Sequence, residues 1–189
     1  MASSVTSTSQ RTTEPAAIRV AFDTCVLVDW HRKPTSKTKE LGALAEIFQA
    51  KLSADKGRWY FIYLDAMRRE IGGQLLDRLA KEAEIQDILP SFDETVSLSR
   101  LPMILPVTIA GREHREAVKA FLSMSVSKSD SIVLADAVYI RSRFLVTTDM
   151  RIVRNDHAVR QAQRRYDLAI LSPTEFLKFT NRGSATFSQ

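Results

Sequence analysis

A single cysteine, Cys25, excludes a disulfide framework within the chain and any cysteine-rich metal site. His31, His114 and His157 show no H-x-x-x-H or Cys/His spacing, so a zinc site is not expected. Long apolar runs are missing as well. The longest uncharged one, Leu101 to Ala110, is ten residues interrupted by Pro102 and Pro106, far short of the roughly 20 residues that span a bilayer. Glycine and proline are scarce, six of each, which argues against collagen-like and low-complexity chains. Neither G-x-x-x-x-G-K-[ST] nor G-x-G-x-x-G occurs, so nucleotide binding by a glycine-rich loop has no support. The opening MASSVTSTSQRTTEP lacks the apolar centre of a secretion signal, and a reducing cytoplasm is the expected compartment.

What is present is material for one core: 189 residues, of which 44% are hydrophobic. Residues 1–16 read as a disordered Ser/Thr-rich tail, 17–181 as one folded domain, and 182–189 as a flexible C-terminus. Ile18 to Phe22 (IRVAF), Trp59 to Leu64 (WYFIYL), Phe144 to Thr148 (FLVTT) and Leu168 to Leu171 are short apolar runs of strand type. Helical periodicity occupies Lys37 to Leu52, the segment after Asp65, Gln74 to Leu89, Arg112 to Met124 and Ser131 to Arg143. A helix bearing the arginine cluster follows FLVTT, and a capped helix runs from Ser172 or Pro173 to Phe179. Gly72-Gly73 predicts a break or close contact, and Pro90 to Pro106 reads as a connection. Strands alternating with helices predict an α/β fold, a three-layer α/β/α sandwich around a central parallel sheet.

The formal net charge of +5 is unevenly spread. Arg141 to Arg165 holds seven arginines against Asp149 and Asp156, which accounts for the entire excess. Arginine suits bidentate phosphate contacts, so a polyanionic partner is one reading and a solvated helix face the other. Arg151, two residues past Asp149, and the Arg160 and Arg164 pair are the candidate nucleic-acid contacts.

In parallel sheets ligands gather at the carboxyl ends of the strands. Asp23 follows IRVAF and Asp149 follows FLVTT, while Asp130 begins the helix leading into that strand. A helix of about 13 residues descends roughly 20 Å and the next strand climbs back about 16 Å, which returns Asp149 to the level of Asp130. Glu70, within two turns of the helix start after the second strand, belongs near the same edge. Any one of these aspartates could be an N-cap, the role expected of Asp65. Crowded together, however, they repel one another and call for a cation, and Mg²⁺ or Mn²⁺ prefers such hard oxygen donors. Asp136, about 120° around the helix from Asp130, is an outer-shell acid or an ordinary helix-edge contact. Cys25, close to Asp23 in the chain at the start of a helix but tied to no histidine by spacing, reads as a small packed residue rather than a nucleophile.

The order of these residues resembles the PIN-domain family of metal-dependent nucleases. IRVAFDTCVLVDW resembles its opening strand and helix, IYLDAMRREI its second motif, and SDSIVLADA with FLVTTD its third and fourth. The resemblance runs from about Ile18 to Phe179 and implies an endoribonuclease using Mg²⁺ or Mn²⁺. It makes Asp23, Glu70, Asp130 and Asp149 the catalytic carboxylates, with Asp23, Asp130 and Asp149 on the metal. Thr24 and Thr147 fall at supporting hydroxyl positions. RNA, ahead of DNA, is the implied substrate. Many small members are the toxin half of toxin and antitoxin pairs, so an antitoxin-like partner and a homodimer are both compatible. This chain carries extra sequence around Thr35 to Gly57 and Pro90 to Arg112. The rival is a PIN-like scaffold that binds RNA or protein with weak or no catalysis. An Asp-nucleophile phosphatase is disfavoured because D-T-C-V has no second Asp two residues on.

Overall fold

The computed structural model describes residues 18–48, 59–62, 103–104 and 111–186. Its strands are β1 (Ile18–Phe22), β2 (Trp59–Ile62), β3 (Met103–Ile104), β4 (Phe144–Val146) and β5 (Ala169–Leu171). The helices among these residues are α1 (Thr24–Arg32), α2 (Thr38–Glu46), α3 (Arg112–Leu122), α4 (Lys128–Tyr139), α5 (Met150–Val153), α6 (Asp156–Tyr166) and α7 (Pro173–Thr186). All strand pairs are parallel, in the order β3-β2-β1-β4-β5. The fold is an α/β three-layer sandwich.

Register explains how two faces are covered. Val20 pairs with both Phe61 and Phe144, so these side chains and Phe22, two residues on, share one face. Phe22 stacks on Phe61 with ring centroids 4.9 Å apart, and Phe48, just beyond α2, lies 5.8 Å from Phe22. Further along the same face, Phe176 and Phe179 of α7 meet Phe144 at 5.3 and 4.8 Å. The chain steps outward from β1 to β2 and β3, then crosses back to β4 and β5. Right-handed crossovers in opposite directions put their helices on opposite faces. The second helical layer is accordingly α3, α4 and α6, joined by the Phe121–Tyr166 contact at 5.8 Å. Ala135, Ala137, Ala158 and Ala162 are fully buried there, and their small side chains permit close helix approach.

Several elements differ from the expectations. Met103–Ile104 is a strand inside the stretch read as a connection. It sits at the edge of the sheet among the described strands, the position in which a strand with prolines near it in sequence is tolerated. The arginine-bearing segment is two helices because Asn155 caps a new one, its side chain accepting from the Ala158 N–H at 3.1 Å. Helix α4 starts at Lys128, before Asp130, because Ser127 is its N-cap. The last helix continues past Phe179 to Thr186, into the tail expected to be flexible, since extending a formed helix costs far less than nucleating one. No helix among the described residues is long and apolar enough to cross a membrane. The segment after Asp65, Gly72-Gly73 and Glu70 lies outside the described residues.

Candidate functional site

The chain reverses its direction of travel across the sheet between β1 and β4. At such a switch point the connections leave to opposite sides, and a crevice opens beyond the carboxyl ends of the two strands. Asp23 and Asp149 stand there. Asp23 leaves β1 with its N–H still bonded to the Val146 carbonyl at 2.9 Å, so the β1–β4 ladder fixes its position. Its side chain makes no capping bond to α1. Instead, Oδ2 accepts from the Thr147 hydroxyl at 2.6 Å and the Cys25 thiol at 3.0 Å. Thr147 Oγ1 in turn accepts the Asp149 N–H at 3.0 Å. One fully buried hydroxyl thus locks the two strand ends together.

Asp23 is 3% exposed, and its two side-chain partners among the described residues are neutral. Burial pushes its pKa up, and the Asp130 charge adds to this against the hydrogen bonds from Cys25 and Thr147. Asp130 therefore lies within electrostatic reach. Its backbone N–H goes to Ser127 Oγ at 3.2 Å. Capping is thus Ser127's role, and among the described residues the Asp130 carboxylate takes no hydrogen bond. Asp149 does cap α5, accepting from the Arg151 N–H at 2.8 Å. The Arg151 guanidinium grips the same carboxylate and is the main cause of its lowered pKa. Burial pushes the Cys25 thiol well up, followed by the Asp23 charge, which leaves it protonated and a poor nucleophile.

Beside this edge a cleft of about 140 Å³ is lined by Ser125, Val126, Ser127, Asp130, Arg151 and Asn155, among others. Arg160 and Arg164 are exposed on α6, outside that lining. Thr24 is buried at the start of α1, and its backbone makes a small contribution that lowers the Asp23 pKa against burial. Asp136 is drawn away from the edge, paired with His114 Nε2 at 2.7 Å between α3 and α4. Sequence reasoning missed Asp29 and Lys37. Thr148 donates to Asp29 Oδ2 at 2.5 Å, while Lys37 Nζ donates to the Thr148 carbonyl and its charge helps to lower the Asp149 pKa. Lys37 comes from the turn before α2, and no local spacing ties it to Thr148. Among the described residues no three His, Cys, Asp or Glu side chains converge closely enough to hold a metal ion.

The raised Asp23 pKa carries a sign. Between the unfolded and folded values the native state holds the extra proton, so Asp23 makes stability fall as pH rises through that window, and the penalty is complete above the folded pKa. Asp23→Asn removes the charge at nearly constant shape. In EDTA its melting temperature should exceed that of the wild type at pH 7, by on the order of 2–4 °C if about 1 kcal/mol is relieved. The gap should close as pH falls to 4, read by circular dichroism. A variant less stable than wild type at pH 7 would mean that the Asp23 charge supports the fold. Comparison with family models finds no match, and comparison with curated proteins finds none.

Proposed function

We propose that this chain is a divalent-cation-dependent nuclease that hydrolyses phosphodiester bonds in RNA, with Mg²⁺ or Mn²⁺ as its cofactor. The observation that carries the reading is the acidic edge at the β1–β4 switch point. There a buried aspartate whose side-chain partners among the described residues are neutral is linked through Thr147 to Asp149, within electrostatic reach of Asp130. The donor set suits a hard cation: carboxylate oxygens, with the nearby thiol held protonated. Asp23, Asp130 and Asp149 stand too far apart to form a ready-made cage, so they would have to draw in around the ion to hold it, directly or through water, and Glu70 would complete the cluster and orient the attacking water. When bound, such an ion lowers the pKa of water and stabilises charge on phosphate oxygens. The chain's own residues do the rest. Thr147 fixes the Asp23 rotamer and the Asp149 backbone together, so both carboxylates keep their separation under mutual repulsion. Arg151, at the mouth of the cleft, offers a planar fork for a phosphate, and Arg160 and Arg164 extend the basic surface along α6. The resemblance to PIN domains supports the same chemistry, and a cytoplasmic setting agrees with the single free thiol.

The test is cleavage of a mixed-sequence, end-labelled RNA by the purified chain in Mn²⁺ and in EDTA. Cutting in Mn²⁺ that EDTA stops is the expected result. Binding without cutting under every divalent ion would favour a scaffold role, and cutting that persists in EDTA would exclude metal-dependent hydrolysis.

A further inference from the structure

The Asp149 carboxylate is held by the chain's own cation. Arg151 Nε donates to both carboxylate oxygens at 3.1 Å, and Nη2 donates to Oδ2 at 2.5 Å. The two partners are anchored very differently. Asp149 has a side chain only 15% exposed, a backbone N–H tied to Thr147, and an oxygen capping α5. The Arg151 side chain is 87% exposed on a four-residue helix. If the pair is separated, the arginine moves and the aspartate stays. Exposed ion pairs are also weak, so separation is inexpensive. The same guanidinium feels the Asp130 charge and lines the cleft with it.

We infer that Arg151 is a built-in counter-ion that couples metal binding to RNA binding. A divalent cation and the guanidinium compete for the Asp149 carboxylate, and the guanidinium released by the cation turns to a phosphate of the RNA at the cleft. Arg151 thus acts on the cation through Asp149 and on the RNA directly. The inference rests on the proposed nuclease reading. Linkage requires that RNA tighten metal binding by the same factor as metal tightens RNA binding. The two ligands then assemble the site together, and neither alone does so as well.

Two binding measurements test this without reading activity. In calorimetry with MnCl₂ and no RNA, Arg151→Gln should bind Mn²⁺ about three- to fivefold more tightly than wild type, the range open to an exposed pair. Arg154→Gln removes the same charge from the same stretch without a bond to Asp149, and should change the affinity by much less. In EDTA, anisotropy of a labelled mixed-sequence single-stranded RNA should show Asp149→Asn binding more tightly than wild type and than Asp156→Asn. That gain should vanish in Asp149→Asn/Arg151→Gln. An Mn²⁺ affinity of Arg151→Gln no tighter than that of Arg154→Gln, or a gain that survives in the double variant, overturns the coupling. If the wild type still binds Mn²⁺ and cuts RNA, the nuclease reading stands. Wild type that binds no Mn²⁺ overturns both.

Discussion

Asp130→Asn should lower Mn²⁺-dependent RNA cleavage by about a thousandfold or more and leave the melting temperature essentially unchanged. The size follows from the position of the charge. Losing one preorganised electrostatic group from an active site costs on the order of 10²–10³ in rate, and a residue proposed as a ligand of the ion is expected at or above the top of that range. A thousandfold loss corresponds to about 4 kcal/mol of transition-state stabilisation. The fold is spared because the Asp130 side chain supports nothing structural among the described residues, Ser127 capping α4. The same contrast separates this account from a capping role. If Asp130 were the cap, asparagine would preserve its function and activity would persist. Asp149→Asn should lose activity to a similar extent, but with a small change in stability, since it also gives up the Arg151 pair. Cleavage that survives both substitutions would remove these aspartates from the reaction.

Phe22→Ala should destabilise the chain by about 3–5 kcal/mol, the range for truncating a buried phenylalanine in a core that cannot collapse around it. Phe22 is fully buried, stacked on Phe61 and tilted against Phe48, so the cavity would open between the sheet and the α2 layer. Against a typical stability of about 5–15 kcal/mol this is a large share. Phe22 also precedes Asp23, so the loss should reach the acidic edge. Urea denaturation gives the stability directly. A loss below about 1 kcal/mol would mean that this aromatic cluster is not where the core is anchored.

Residues whose role is set by their near neighbours in the chain were readable. IRVAF is apolar at each of its last three positions, which are buried in the sheet as a parallel strand requires, and its end at Asp23 follows from that. FLVTTD reads the same way, and the alternation of strands and helices yields the layered fold. Other roles depend on distant partners. Thr147 acts on Asp23 across 124 residues and Lys37 on Thr148 across 111, and no local pattern pairs them. Met103–Ile104 was hidden because Pro102 and Pro106 read as breakers, whereas an edge strand tolerates them. Ser127 was a missed signal of another kind. The S-x-x-D spacing from Ser127 to Asp130 is a helix-start pattern, and reading it would have moved the cap from Asp130 to Ser127.

The acidic edge as a cation site is tested most directly by a crystal structure of the chain soaked in MnCl₂, with anomalous data collected for manganese. The account predicts anomalous density at the carboxyl ends of β1 and β4, bounded by the Asp23, Asp130 and Asp149 carboxylates, with the Arg151 guanidinium withdrawn from Asp149. Well-ordered carboxylates with no manganese between them, and Arg151 still bound to Asp149 at millimolar Mn²⁺, would contradict it.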